Sequence, residues 1–115
     1  MIELEQLEEM FAGIAAESKW DMSKPMLWGY FFTDISRAKL EAAIPELASQ
    51  GYRIVDMFVP DLDEGEEEYW FLHVEKDEVH TPESLHARNA ELYALAERYE
   101  LESYDGMDVG PIVQH

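Results

Sequence analysis

The chain has 115 residues, no cysteine, and 26 aspartates and glutamates against 8 lysines and arginines, a formal net charge of −18. That balance excludes non-specific affinity for a phosphate backbone, which arises when lysine and arginine neutralise phosphates, and attraction to anionic lipid surfaces. It favours a partner with a basic patch. Without cysteine there is no disulfide framework, zinc–thiolate site or thiol nucleophile.

An apolar fraction of 47% suits a folded chain. The length suits one domain over residues 1–115, divided into an N-terminal amphipathic helix (1–18), a core (26–106) and a tail (107–115). No run of about 18 apolar residues is present to cross a bilayer. The opening MIELEQLEEM carries glutamates where an export signal needs basic residues and then an apolar run, so the expected compartment is the cytoplasm.

Residues 2–17 read as an amphipathic helix. Leu4, Leu7, Phe11 and Ile14 recur at spacings of three and four, while Glu3, Glu5, Glu8 and Glu9 fill most of the other face. Such a helix docks on its own domain or on a second copy. After a break closed by Pro25, residues 26–33 (MLWGYFFT) form a strand that is apolar on both faces, Leu27 and Phe31 on one, Trp28, Tyr30 and Phe32 on the other. A strand of that kind is central and covered twice, or it presents aromatics to a partner. Asp34 or Ser36 caps a helix to Gln50 whose stripe of Leu40, Ala43, Ile44 and Leu47 runs through Pro45; one kinked helix is expected, with Gly51 as its stop.

Residues 52–59 are the second strand, with Ile54, Asp56 and Phe58 on one face and Val55, Met57 and Val59 on the other. A very acidic turn, PDLDEGEE, leads into the third strand, 68–76, where Trp70, Leu72 and Val74 alternate with Tyr69, Phe71, His73 and Glu75. The short connection makes these two strands an antiparallel hairpin. Thr81-Pro82 opens a helix to about Tyr99, with Leu85, Leu92, Leu95, Ala96 and Tyr99 inward. Residues 101–105 make a short last strand and Gly106 to Pro111 a turn-rich tail. Two strand–helix–strand units meeting at a hairpin give an α+β, ferredoxin-like sandwich: a four-stranded antiparallel sheet with two helices on one face, plus the extra N-terminal helix. The other face carries Tyr69, Phe71 and His73, under that extra helix or under something else.

The chemistry-bearing residues are few. Asp61-Leu62-Asp63-Glu64-Gly65 resembles the start of a calcium loop, but the glycine is fifth instead of sixth and the twelfth position is Leu72, so the segment reads as a solvated hairpin tip. His80 and His86 are six apart, against the four of a helical zinc pair. His73 is a candidate general base beside Glu75 or Asp56. Arg88, near the inward stripe of the last helix, requires a carboxylate, with Asp105 as the expected partner. Nucleophile-elbow, phosphate-loop and dinucleotide patterns are missing, so no catalytic residue, cofactor or metal is assigned. Trp28, Tyr30, Tyr69 and Phe71 resemble the stacking aromatics of an RNA-binding sheet, but the flanking cations are lacking, which points to core or to a protein-binding face.

The run His80 to Tyr99, HTPESLHARNAELYALAERY, which includes Arg88 and Asn89, is followed by Tyr104-Asp105-Gly106 and Val109-Gly110-Pro111. With FFTD ending at Asp34 and GYRIV starting at Gly51, these segments resemble the ribonuclease E inhibitor family, also called regulator of ribonuclease activity B, over roughly residues 26–111. Relatives usually carry tryptophan after Tyr-Asp-Gly, where this chain has Met107. The resemblance implies a ferredoxin-like domain in a small acidic bacterial protein that binds an endoribonuclease and lowers its activity, with no catalytic residues of its own. On this reading Asp61, Asp63, Glu64, Glu66 and Glu67 attract a basic segment of the partner, and the sheet aromatics Trp28, Tyr30, Tyr69 and Phe71 anchor it. A homodimer is the further possibility for the N-terminal helix. The alternative function is a small-ligand-binding or enzymatic dimeric domain, with Tyr30, Tyr69, His73 and Glu75 around a pocket on the open sheet face.

Overall fold

The computed structural model describes residues 2–61, 64–65 and 67–112. Its elements in chain order are α1 (Leu4–Glu17), β1 (Met26–Asp34), α2 (Arg37–Ser49), β2 (Arg53–Phe58), β3 (Trp70–Glu78), α3 (Pro82–Arg98) and β4 (Ser103–Gly110). The four strands form one sheet in the order β2-β3-β1-β4, each neighbouring pair antiparallel. This is the order that two interleaved strand–helix–strand units produce, and it confirms the α+β fold expected from the sequence.

The helices start where the sequence offers caps. Ser36 accepts from the Lys39 N–H ahead of α2, and Thr81 accepts from the Ser84 N–H while Ser84 returns the bond to Thr81, with Pro82 in the first turn of α3. Asp34 is therefore not the cap of α2. Its buried carboxylate accepts from Ser36 N–H at 2.7 Å and from Glu102 N–H at 2.9 Å, tying the β1–α2 corner to the entry of β4. Pro45 lies within α2 on its exposed side and leaves the Glu41 carbonyl without its helical donor.

β1 is central, as its two apolar faces imply. Trp28, Tyr30 and Phe32 point to the helices and are at most 1% exposed; Leu72 and Val74 of β3 extend the same face, capped by Leu40 and Leu47 of α2 and Leu85 and Leu92 of α3. α1 joins this helical side. Leu7 is buried, Phe11 stacks on Trp28 with centroids 6.0 Å apart, and the Ile2 N–H donates to Tyr93 Oη of α3 at 3.1 Å. It does not cover the opposite face.

Two sequence expectations change. Ile54 and Asp56 do not share a face: the register slips between them, so Ile54 pairs with Val74 and Asp56 with His73, and Val55 is the extra residue of a bulge. The last strand is longer than 101–105 and takes in residues first assigned to the tail. Residues 107–110 pair with β1, and Gly106, at φ +125°, supplies the left-handed conformation at the β4 irregularity opposite Phe31/Phe32. The glycines that look like turn signals serve a bent edge strand.

The candidate binding face of the sheet

Cross-strand pairs fix what the uncovered face presents, because paired residues point the same way. In the order β2-β3-β1-β4, one row reads Arg53, Glu75, Gly29, Asp108. The next toward the hairpin reads Asp56, His73, Phe31, and the one beyond it Phe58, Phe71, Thr33, Ser103. On the other side, Asp77 stands beside Leu27 and Gly110.

The aromatic residues on this face touch one another. Phe58 stacks on Phe71 (5.4 Å, 13°), Phe31 meets Phe71 edge-on (6.3 Å, 85°), and the His73 ring stacks on Phe31 (4.4 Å, 15°). Tyr69 flanks Phe71 at 5.6 Å. All are partly exposed. The result is an apolar strip with one arginine, Arg53, against four carboxylates, Asp56, Glu75, Asp77 and Asp108. Arg53 is engaged by Glu75 at 3.2 Å and Asp77 at 2.7 Å, which hold its charge on more firmly.

Gly29 leaves a gap in this surface. A methyl group at its α-carbon would stand 2.3 Å from Asp108 Oδ1 and 2.8 Å from His73 Nε2, so both side chains lean over the space that the glycine leaves empty. The depression there has a volume of about 220 Å³ and is lined by Leu27, Gly29, His73, Glu75, Asp108, Val109 and Gly110. Among the described residues no group of three or more histidines, aspartates or glutamates is placed to hold a metal ion.

The sequence expectation of an aromatic row spanning Trp28, Tyr30, Tyr69 and Phe71 is corrected here. Strand alternation puts Trp28 and Tyr30, 1% and 0% exposed, in the core beneath the helices, and only Tyr69 and Phe71 reach the open face. Phe31 and Phe58 take their place. Of the acidic hairpin, Asp61, Glu64 and Glu67 are exposed; Asp63 and Glu66 lie outside the described residues. Asp108 was missed because it fell in the supposed tail, and Gly29 because a strand glycine shows its use only once its neighbours are known.

The other singled-out residues build the opposite, closed side. Arg88 bonds Glu78 at 2.5 Å, not Asp105, which is exposed on β4. Glu78 stands at the end of β3, directly under α3, while β4 turns Asp105 outward. The second oxygen of Glu78 accepts from His80 Nε2 at 2.5 Å, with Tyr30 Oη 3.1 Å from that nitrogen and Ser84 Oγ 2.9 Å from Nδ1. Burial raises the Glu78 carboxyl, but the bonds and charges of His80 and Arg88 outweigh it and hold it at about 2. Burial likewise pushes the Tyr52 phenol, whose ring lies under Arg88, up to about 12. The serine–histidine–glutamate chain is a fastening rather than a nucleophile: Ser84 Oγ is already bonded to Thr81 N–H and Thr81 C=O in the helix cap. Buried Asn89 accepts from Tyr104 Oη at 2.6 Å and bonds Met107 Sδ at 3.6 Å, while Gly110 ends β4 and Pro111 follows exposed.

Fold and surface together define an open-faced, ferredoxin-like α+β sandwich whose free side is aromatic and acidic. A family model described as regulator of ribonuclease activity B matches residues 4–109, and the chain belongs to that family. The match takes in α1 as well as the sandwich, a wider span than the resemblance read from the sequence. No curated protein matches the chain.

Proposed function

We propose that the chain is a non-catalytic regulator that binds the basic, RNA-contacting segment of an endoribonuclease and occupies the cations that RNA would use. Family membership supports the ribonuclease target. The observation that carries the mode of binding is the uncovered sheet face, an aromatic strip bordered by four carboxylates against one arginine. Four of the seven cations elsewhere are paired internally, Arg37 with Glu41, Lys76 and Arg88 with Glu78, and Arg98 with Glu46. A phosphate backbone thus meets net repulsion, and a basic peptide net attraction. The acidic hairpin steers the approach, and the aromatics supply the desolvated contact. The work takes place in the cytoplasm.

A second reading, a small-ligand or catalytic pocket, has one observation in its favour: His73 and Glu75 do line a depression. Its volume of about 220 Å³ falls below the roughly 300–1,000 Å³ of small-molecule sites, and size favours a peptide side chain over a substrate.

The test is titration of the purified chain against an endoribonuclease with its basic segment present or deleted, at low and high salt. Binding is expected only with the segment, weaker at high salt, and weaker again when Asp61, Asp63, Glu64, Glu66 and Glu67 are changed to their amides. Undiminished binding without the segment, or indifference to salt, refutes the proposal.

A further inference from the structure

The depression over Gly29 is shaped for one side chain of a particular kind. We propose that it is a socket for a single arginine of the partner segment, with that residue's apolar or aromatic neighbours lying along Phe31, Phe71 and Phe58. This deepens the ribonuclease-binding reading and rests on it.

Three features converge. Glu75 and Asp108 sit on the strands either side of β1, in register with Gly29. Their α-carbons are therefore two strand spacings apart, roughly 10 Å, with no side chain on the residue between them and the ends of Asp108 and His73 leaning over it. The planar guanidinium carries donors on both edges and can bridge two such carboxylates; an ammonium is a point charge that satisfies one side at a time. Leu27 adds an apolar wall for the methylenes, and His73, stacked on Phe31, adds a flat ring at the rim.

Charge chooses the occupant of the face. A second copy would bring four more carboxylates and one arginine against the same array, on a chain of net charge −18. A nucleic acid is repelled by the same field. A basic segment complements it. Asp108, which has no ion pair among the described residues, is left to meet the incoming charge, whereas Glu75 has to share with Arg53.

The probe is a synthetic nonapeptide with one central arginine between phenylalanines and leucines, compared with its lysine version and its citrulline version, which keeps the shape and loses the charge. Binding is read from amide chemical shifts of the full chain. The expectation is shifts concentrated at Gly29, Asp108 and Gly110, with affinity falling about tenfold or more for citrulline and less for lysine. Asp108→Asn reproduces the loss without altering volume. Gly29→Ala drives a methyl into the Asp108 carboxylate and the His73 ring and so disrupts the socket; urea unfolding of both variants verifies the fold. Equal affinity for the citrulline peptide, an unaffected Asp108→Asn, or shifts centred elsewhere overturns the socket. So do shifts at these amides that grow with protein concentration alone, since a second copy then covers the face. The two proposals fail separately. If both variants bind the ribonuclease like wild type while the hairpin-neutralised chain does not, the socket is wrong and the regulator stands. If the peptide seats in the socket but no ribonuclease binds, the reverse holds.

Discussion

Replacing Glu78 with glutamine isolates the ion cluster that fastens α3 to the sheet. The Glu78 side chain is 10% exposed and receives His80 Nε2 and Arg88, each at 2.5 Å. Its carboxyl is held at about 2 against an ordinary 4.5. At 1.36 kcal/mol per decade that gap corresponds to about 3 kcal/mol of stability. A depressed folded value means that the contribution is fully present above pH 4.5 and is lost as pH falls toward 2. Glu78→Gln therefore costs about 3 kcal/mol near neutral pH. Near pH 2 the variant converges on wild type, because a protonated carboxyl and a carboxamide are both neutral and nearly the same shape. The assay is urea unfolding followed by tryptophan fluorescence, with Trp28 in the core as the reporter, at several pH values between neutral and 2. The other carboxylates titrate in both proteins, so the difference between the two curves reports Glu78 together with the partners it holds. A difference under about 1 kcal/mol at neutral pH, or one that stays constant to pH 2, refutes the reasoning.

Tyr104→Phe removes the donor that satisfies the buried Asn89 carbonyl, and should cost about 1–3 kcal/mol in urea unfolding, since the orphaned oxygen keeps its desolvation penalty; a neutral result means that water reaches Asn89. Pro45→Ala restores a donor to the Glu41 carbonyl inside α2 and should gain about 2 kcal/mol, the proline penalty less the proline's stiffening of the unfolded chain; a loss of stability would show that the ring contributes packing that its exposure denies.

Much of the architecture is legible in the residues. Thr81-Pro82 announces α3, Ser36 begins α2, and the two apolar faces of β1 make it a central strand before any pairing is known. The segments that carry the family resemblance prove mainly structural. His80 and Arg88 meet at Glu78, and Asn89 meets Tyr104, all on the closed side of the sheet. Such residues are distinctive because burying a charge or an amide demands a particular partner, so they mark the fold more clearly than they mark a surface. The partner of Arg88 is not legible in the sequence: Asp105 and Glu78 are equally acidic, and only the end of β3 brings Glu78 beneath α3.

Charge, the order of elements and hence the sandwich can be read from the residues alone, because periodicity, caps and composition are local properties that survive without knowledge of neighbours. Which side of the sheet remains open was decided by the tertiary structure. β1 is apolar on both faces, so alternation cannot choose between them; the helices do, with Leu40 and Leu47 of α2 and Leu85 and Leu92 of α3 packing on one face and Leu7 and Phe11 of α1 joining them there. That choice sends Trp28 and Tyr30 into the core and leaves Phe31, Phe58 and Phe71 outside. The register slip in β2 and the added length of β4 then place Asp56 and Asp108 on the open face. A binding surface assembled across four strands is a sum of long-range pairings, and no single stretch of chain contains it.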